Sequence, residues 1–274
     1  MFIINLVEDT KGNNECLYEH GLSIYVETEK HKLLVDCGAT DMFLHNARLL
    51  GVDVGQVDTV ILSHGHYDHS GGIMDFAKVN SKAPIYMRET AGEDYYHIAQ
   101  NLEKYIGIDK EILKLPQVVN VKELLEIDEE LLLFSGITGK KYPIKGNLVL
   151  KKKVNGVYVQ DEFEHEQCLV ITQGEKHILL SGCAHNGILN ILDRYVEIFH
   201  AYPDIVISGF HMAQKADYTK EDEENIRNIA KALLETKAEF YTGHCTGQKA
   251  YDIMKKIMGD RLKQIHSGET LIGW

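Results

Sequence analysis

Four stretches of this chain share one design: a short apolar run that breaks at Ser or Gly and delivers a histidine. They are Val60-Ile61-Leu62-Ser63-His64, Ile178-Leu179-Leu180-Ser181-Gly182-Cys183-Ala184-His185, Ile205-Val206-Ile207-Ser208-Gly209-Phe210-His211 and Phe240-Tyr241-Thr242-Gly243-His244. Apolar runs of this length, closed by small residues, read as buried strands. Ligands of open α/β sheets gather beyond the carboxyl ends of the strands. Four strand ends that aim histidines at one place therefore describe a metal site, and a catalytic one. Any fold for this chain has to bring those ends together.

The first run continues as His64-Gly65-His66-Tyr67-Asp68-His69-Ser70-Gly71-Gly72. His64 and His66 are two apart, so in an extended segment both side chains project to one side. Both can then reach a single ion at about 2.0–2.1 Å, the usual Zn–N distance. Asp68 and His69 follow on the next turn, where a carboxylate and an imidazole can hold a second ion. Imidazole with carboxylate suits Zn, Mn or Fe rather than Ca or Mg.

The remaining segments alternate strands and helices at both ends of the chain. Met1 to Asp9 reads as a first strand, and Leu22 to Thr28 with Lys32 to Asp36 as a hairpin-like pair. Thr40 is expected to cap a helix through about Leu50, Val57 to Ser63 forms the strand that feeds the cluster, and Gly71-Gly72 opens another helix before a strand at Pro84 to Met87. Strands at Cys168 to Thr172 and His177 to Ser181 precede a helix from Gly187 to about His200. After the strand Ile205 to Ser208, Thr219 with Asp222 three residues on has capping-box spacing for a helix from about Lys220 to Thr236. Phe240 to Thr242 is the next strand and about Gln248 to Met258 the last helix. The similar style of the two ends suggests two halves facing one site. Between them, about 88–164 reads as a pocket-shaping insertion in a single domain spanning 1–274. It is expected to hold a polar helical segment from Ala91 to Tyr105, then β-like pieces at Lys122 to Thr138 and Leu148 to Val159.

The 29 basic and 41 acidic residues give a formal net charge of −12, which disfavours nucleic acid and acidic lipid as partners. Five cysteines, with no C-x-x-C pair, read as reduced thiols of a cytoplasmic protein. The N-terminus lacks the basic and apolar regions of a signal peptide, and no apolar stretch approaches membrane-spanning length. The expected partner is a small-molecule substrate, and a homodimer is compatible with the chain.

At the histidine cluster the sequence resembles the metallo-β-lactamase fold superfamily. Ser63 to Gly72 match its signature S-H-x-H-x-D-H-x-G-G, and Leu33-Leu34-Val35-Asp36-Cys37-Gly38 match an upstream L-L-V-D-x-G element. Within it, the chain is similar to the dihydropterin-methyl-ribofuranosylaminobenzene-phosphate synthase-like subgroup. Its G-C-x-H-x-G-I, G-G-F-H and H-C-T-G elements have counterparts in Gly182 to Ile188, Ser208 to His211 and His244 to Gly247. The resemblance implies an α/β fold, a four-layer αβ/βα sandwich of two mixed sheets with outer helices. It implies His64, His66 and His185 at one metal, Asp68, His69 and His244 at the other, and Asp36 behind a ligand histidine, fixing its tautomer. One departure stands out: where many members carry a G-D pair with a bridging aspartate, this chain has Gly182-Cys183. Cys183 can ligate as a thiolate or be a small buried residue while His185 ligates. His165 is a further contender for the third histidine.

Most of the 14 histidines read as surface or core residues: His31 and His177 at hairpin edges, and His45, His97 and His200 in helical stretches. His20 precedes a strand and can line the pocket. His211 ends a buried strand and suits substrate contact or proton transfer. Cys245 reads as a buried structural thiol, and Trp274 carries no signal that places it. The expected activity is metal-dependent hydrolysis, in which metal-activated water attacks an ester or phosphoester centre, Asp68 orients it and His211 protonates the leaving group. The alternatives are a transferase that condenses a pterin-methyl pyrophosphate with an aminobenzene ribotide phosphate, and a non-enzymatic metal or ligand sensor.

Overall fold

Strands in this chain alternate their side chains between two different cores, and that alternation builds the architecture. The computed structural model describes residues 1–100 and 102–273, so Asn101 and Trp274 lie outside the described residues. The first half opens with β1 (Phe2–Val7), β2 (Ser23–Glu27), β3 (Lys32–Val35), helix α1 (Met42–Leu49) and β4 (Thr59–Ile61). A single-turn helix α2 (Tyr67–Ser70), helix α3 (Ile73–Val79) and β5 (Ile85–Arg88) follow. Then come β6 (Tyr95–Ala99), β7 (Leu102–Tyr105), β8 (Val118–Val121), β9 (Leu124–Glu126), β10 (Leu131–Phe134), β11 (Leu150–Val154) and β12 (Val157–Gln160). The last part holds β13 (Cys168–Gln173), β14 (Lys176–Ser181), α4 (Ile188–Phe199), β15 (Ile205–Ser208), α5 (Lys220–Glu235), β16 (Glu239–Thr242), α6 (Gln248–Met258), β17 (Leu262–Gln264) and β18 (Glu269–Gly273).

The strands form two seven-stranded sheets, ordered β18-β1-β2-β3-β4-β5-β8 and β17-β16-β15-β14-β13-β10-β9. Both are mixed. Antiparallel pairing runs through β18, β1, β2 and β3 and turns parallel from β3 to β8. In the second sheet the run from β14 to β17 is parallel and the other half antiparallel. Leu33 and Val35 of β3 and Ile178 and Leu180 of β14 pack between the sheets, among Ile3, Val26, Ile61, Leu133, Ile171 and Ile207. Their neighbours Leu34 and Leu179 point outward, Leu34 under α1 and α3 with Phe43 and Phe76, Leu179 under α4 to α6 with Ile191, Leu233 and Met254. This period of two produces a four-layer αβ/βα sandwich.

Several expected elements differ. The segment from Ala91 to Tyr105 forms the hairpin β6–β7 rather than a helix. Its Tyr-Tyr-His-Ile-Ala run suits a strand, and Tyr96 pairs across to Tyr105 with ring centroids 5.3 Å apart, the cross-strand aromatic contact that stabilises sheets. β6 and β7 join β11 and β12 in a separate four-stranded sheet, while β8, β9 and β10 extend the two main sheets. The 88–164 segment thus serves both. Thr40 is not a helix cap: the helix starts after Asp41, and the Thr40 hydroxyl donates to Glu19 Oε2 at 2.7 Å. The capping box of Thr219 and Asp222 is formed.

At the end of the sandwich away from the histidine-bearing strand ends, His31 in the β2–β3 turn joins the two sheets. Its Nδ1 lies 3.1 Å from Asp58 Oδ1, just before β4, and its Nε2 2.6 Å from Asp128 Oδ2 in the β9–β10 turn. Burial works against the imidazolium, but the two carboxylates outweigh it and raise its pKa above 6.5. Stabilisation from a raised pKa is full below the unfolded value of about 6.5 and lost as pH rises through the folded value. His31→Ala should therefore lower stability by up to about 1 kcal/mol at pH 6 and by less at pH 9, measured by urea unfolding. An effect equal at both pH values would refute a charged link.

Candidate metal centre

The strand ends converge between the two sheets. β4 delivers His64 and His66, α2 carries Asp68 and His69, β14 runs out into Cys183 and His185, and His211 and His244 follow β15 and β16. All but the half-buried His211 are buried. Close approach of the two sheets at this edge requires Gly182, because a Cβ there would overlap the Ser63 hydroxyl and come within 3.1 Å of His64 Nδ1. Four non-glycine residues here have positive φ: Asp36 (60°), Ala184 (54°), His211 (47°) and His244 (47°). Such backbone costs about 1–3 kcal/mol per residue and persists where packing enforces it.

Hydrogen bonds settle which ring nitrogens face protein acceptors. Asp36 Oδ2 accepts from His69 Nδ1 at 2.6 Å and from Ser63 Oγ at 2.7 Å, and its Oδ1 accepts from Ser63 N at 2.7 Å. Because Ser63 spends its hydroxyl hydrogen on Asp36, its oxygen accepts from His64 Nδ1 at 2.9 Å. Asn147 donates its amide to His185 O at 2.8 Å and accepts from His185 Nδ1 at 3.1 Å. Asp9 Oδ1 accepts from His244 Nδ1 at 2.5 Å. Four histidines are thus held at Nδ1 by a protein acceptor and turn Nε2 inward, the arrangement that outer carboxylates and carbonyls impose on metal ligands.

At the other face of the rings, three Nε2 atoms have no protein partner. His64 Nε2, His66 Nε2 and His185 Nε2 are buried without hydrogen-bond partners, and the three rings lie with centroids 4.6–4.9 Å apart. In the other group, His69 Nε2 lies 3.2 Å from His244 Nε2 and 3.2 Å from Cys183 Sγ, and His244 Nε2 lies 3.3 Å from Asp68 Oδ2. Donors around a tetrahedral ion at about 2.0–2.1 Å stand roughly 3.4 Å apart, so these spacings match a coordination sphere. Cys183 Sγ lies within reach of His64 and His185 on one side and of Asp68, His69 and His244 on the other. The residues fit one or two divalent metal ions.

The electrostatics agree. Burial, reinforced by neighbouring imidazoles, holds His64 and His185 well below 6.5; burial, with His165 adding to it, brings His66 to about 3. They are neutral at physiological pH, as ligands must be. Burial opposes ionisation of Asp68, but His69 and His244 outweigh it and hold its carboxyl well below 3.8. His244, in spite of burial, is raised well above 6.5 by Asp68 and Asp9. A cation is favoured between Asp68 and His244, and a proton fills that role when no metal does. Burial pushes the Cys183 thiol up, so its deprotonation calls for a metal.

His165 does not join the donors. Its Nδ1 accepts from Gly65 N at 2.9 Å and its Nε2 donates to Asp161 Oδ2 at 3.1 Å, which leaves no lone pair. Cys245 is buried and accepts from His211 N at 3.3 Å. The His211 ring is centred 4.1 Å from that of His185, and its Nδ1 is buried and unpartnered. It also lines an open surface groove, together with Tyr142, Ile144, Gly146, Met212 and Tyr218. Asp9, Asn147 and Glu166, whose carboxylate accepts from His185 N at 2.6 Å and Asn186 N at 2.9 Å, are supports that the sequence reading missed. Asp9 had a signal, since it follows the apolar run of β1; Asn147 and Glu166 had none.

Fold and donor set together define a class, a four-layer sandwich built around a candidate divalent-metal centre. The Metallo-beta-lactamase superfamily model matches residues 19–158. A 7,8-dihydropterin-6-methyl-4-(beta-D-ribofuranosyl)-aminobenzene-5'-phosphate synthase of Methanocaldococcus jannaschii is 30% identical over 295 residues, covering 98% of this chain and 95% of its own. The crystal structure of Tm1679, described as a metal-dependent hydrolase of the beta-lactamase superfamily, superposes with a TM-score of 0.83 at 32% identity over 100% of this chain and 99% of its own. A Staphylococcus aureus protein named as a metal-dependent hydrolase is 35% identical over 88 residues, 30% of this chain and 36% of its own length. The chain belongs to the metallo-β-lactamase superfamily.

If Asn147 orients a ligand, Asn147→Ala should weaken the binding of one Zn²⁺ equivalent by about 10–100-fold with an unchanged circular dichroism spectrum. Calorimetric titration of chelator-stripped protein reads this, and native affinity in the variant would remove Asn147 from the centre.

Proposed function

We propose that this protein is a metal-dependent hydrolase that cleaves an ester or phosphoester bond in a small molecule. The observation that carries this reading is the set of buried, unpartnered Nε2 lone pairs of His64, His66 and His185 beside the Asp68–His69–His244 group. His64, His66 and His185 would hold one ion and Asp68, His69 and His244 the other, with Cys183 within reach of donors of both. Zinc suits these donors best, and Mn or Fe are compatible. The bound metal supplies a Lewis acid and a water whose pKa falls toward about 7.

The residues do the rest. Asp68, ionised and within reach of His69 and His244, would accept a hydrogen bond from a nucleophilic water and orient it. His211 stands between His185 and the groove, where its imidazole can pass a proton to the leaving oxygen as the ester bond breaks. Tyr142 to Gly146, from the 88–164 segment, line that groove, which supports a pocket-shaping role for part of the segment within a single domain. Among the described residues no helix is long and apolar enough to cross a membrane, and none of the five cysteines forms a disulfide; both accord with a cytoplasmic enzyme acting on a small molecule.

A second reading, condensation of a pterin-methyl pyrophosphate with an aminobenzene ribotide phosphate, is favoured by the 30% identity to the archaeal synthase over 98% of the chain. Product analysis separates the two, because hydrolysis and condensation release different compounds.

Metal-loaded protein should hydrolyse members of a panel that includes bis(p-nitrophenyl) phosphate and p-nitrophenyl acetate, and a chelator should abolish the activity. His211→Ala should lower kcat by about 10²–10⁴-fold while retaining the native metal content. Activity that survives chelation would sink the mechanism, and condensation without hydrolysis would establish the second reading.

A further inference from the structure

We propose that Cys183, His211 and Cys245 form a separate cation position beside the centre, one that takes a thiophilic cation such as Cu⁺. The three follow β14, β15 and β16, neighbouring parallel strands whose carboxyl ends lie side by side. Both cysteines are buried, and their sulfurs and one ring nitrogen of His211 lie within 4.8 Å of one another. Donors about 2.3 Å from one ion at trigonal angles stand about 4 Å apart, so small side-chain rotations close the sphere. Two sulfurs and an imidazole select soft cations over the harder ions that suit histidine with carboxylate. Among the described residues no other pair of cysteines shares such a group.

The ring nitrogen is Nδ1. It is buried and has no hydrogen-bond partner, whereas Nε2 lies against Gly146, where a Cβ would come within 3.4 Å of it. Ligation through Nδ1 therefore leaves Nε2 turned to the groove for proton transfer. The backbone holds the three donors in place. His211 N donates to Cys245 Sγ at 3.3 Å, Ala213 N to Cys245 O at 2.9 Å and Phe210 N to Thr246 Oγ1 at 2.9 Å. Gly209 N donates to Gly182 O at 2.8 Å, which ties the same turn to the residue before Cys183. A Cβ on Gly209 would lie 2.5 Å from Cys245 Sγ and 3.5 Å from the Cys183 Cα, so glycine is what lets the two cysteines close on this turn. The position shares Cys183 with the centre and none of the centre's histidines. A thiolate has lone pairs for two ions, and cation binding sends the thiol protons to water.

The test titrates Zn²⁺-loaded, full-length protein with Cu⁺ under anaerobic conditions, in competition with the chromophoric chelator bicinchoninate. Native protein is compared with Cys245→Ser, Cys245→Ala and His211→Ala. Native protein should withdraw one equivalent of Cu⁺ from the chelator, develop ultraviolet thiolate-to-copper absorption and keep its zinc. In each variant the affinity for that equivalent should fall by at least about 10-fold, since even residues behind ligands matter by that much, with zinc content and circular dichroism unchanged. No Cu⁺ uptake by native protein, or native affinity in both Cys245 variants, would overturn the position. Native affinity in His211→Ala would overturn the three-donor set. Zinc released as copper binds would place the copper in the histidine centre itself and overturn a separate position.

Discussion

Ring nitrogens that face one another in a dry interior are the constraint to which the rest of this structure answers. His69 Nε2 and His244 Nε2 stand 3.2 Å apart, and three further Nε2 atoms are buried without partners. In a low-dielectric interior an unpaired polar atom costs about 1–3 kcal/mol, a cost that bound cations would relieve for the three unpartnered atoms. The rings cannot turn away, because each Nδ1 with an assigned partner is spoken for: His69 by Asp36, His64 by Ser63, His185 by Asn147 and His244 by Asp9. Asp36 is the hub of this arrangement, since one buried carboxylate orients His69 directly and His64 through the Ser63 hydroxyl.

The fold serves the centre by bringing the carboxyl ends of strands from two sheets into contact. Parallel pairing of β3 with β4 and of β14 with β15 and β16 puts those ends on one edge. Gly182 lets the edges close, since any side chain there would meet Ser63. The positive φ values at Asp36, Ala184, His211 and His244 show where the chain departs from relaxed geometry, and all four lie where strands turn into the centre. The broad apolar cores on either face of each sheet stabilise what this edge destabilises.

Much of this was legible from the residues. Short apolar runs closed by Ser or Gly located β4, β14, β15 and β16, and the Thr219–Asp222 spacing located the start of α5, because each signal is local. The β6–β7 hairpin was not legible as such: the polar residues near Tyr95 to Tyr105 mask a strand stabilised by Tyr96 against Tyr105, a partner known only once the chain has folded. His165 and His185 could not be separated by spacing, since both flank the strand pair β13–β14. Hydrogen-bond bookkeeping separates them, because Gly65 and Asp161 occupy both nitrogens of His165. Asn147 was invisible for the same reason as the hairpin, its partner being 38 residues away in sequence.

Cys183 bears on which substrates the centre favours. Where related sequences place a carboxylate, this chain has a thiol that burial keeps protonated until a metal displaces the proton. The three histidines of the first position are neutral, and Asp68 is the lone carboxylate among the six proposed ligands. With Asp68 ionised and the Cys183 proton displaced, such a donor set would compensate about half of the charge of two divalent ions. With ions bound, the local field at the centre would oppose the net −12 of the whole chain, since bound cations dominate at this range. In the proposed reaction, anionic oxygens, as on a phosphoester, would gain more from that field than a neutral ester carbonyl, and the partly apolar groove beside His211 would take the uncharged remainder of such a molecule. Asp9, whose two carboxylate oxygens accept from His20 Nδ1 and His244 Nδ1, adds a negative charge behind the Asp68–His69–His244 group and so favours a cation there.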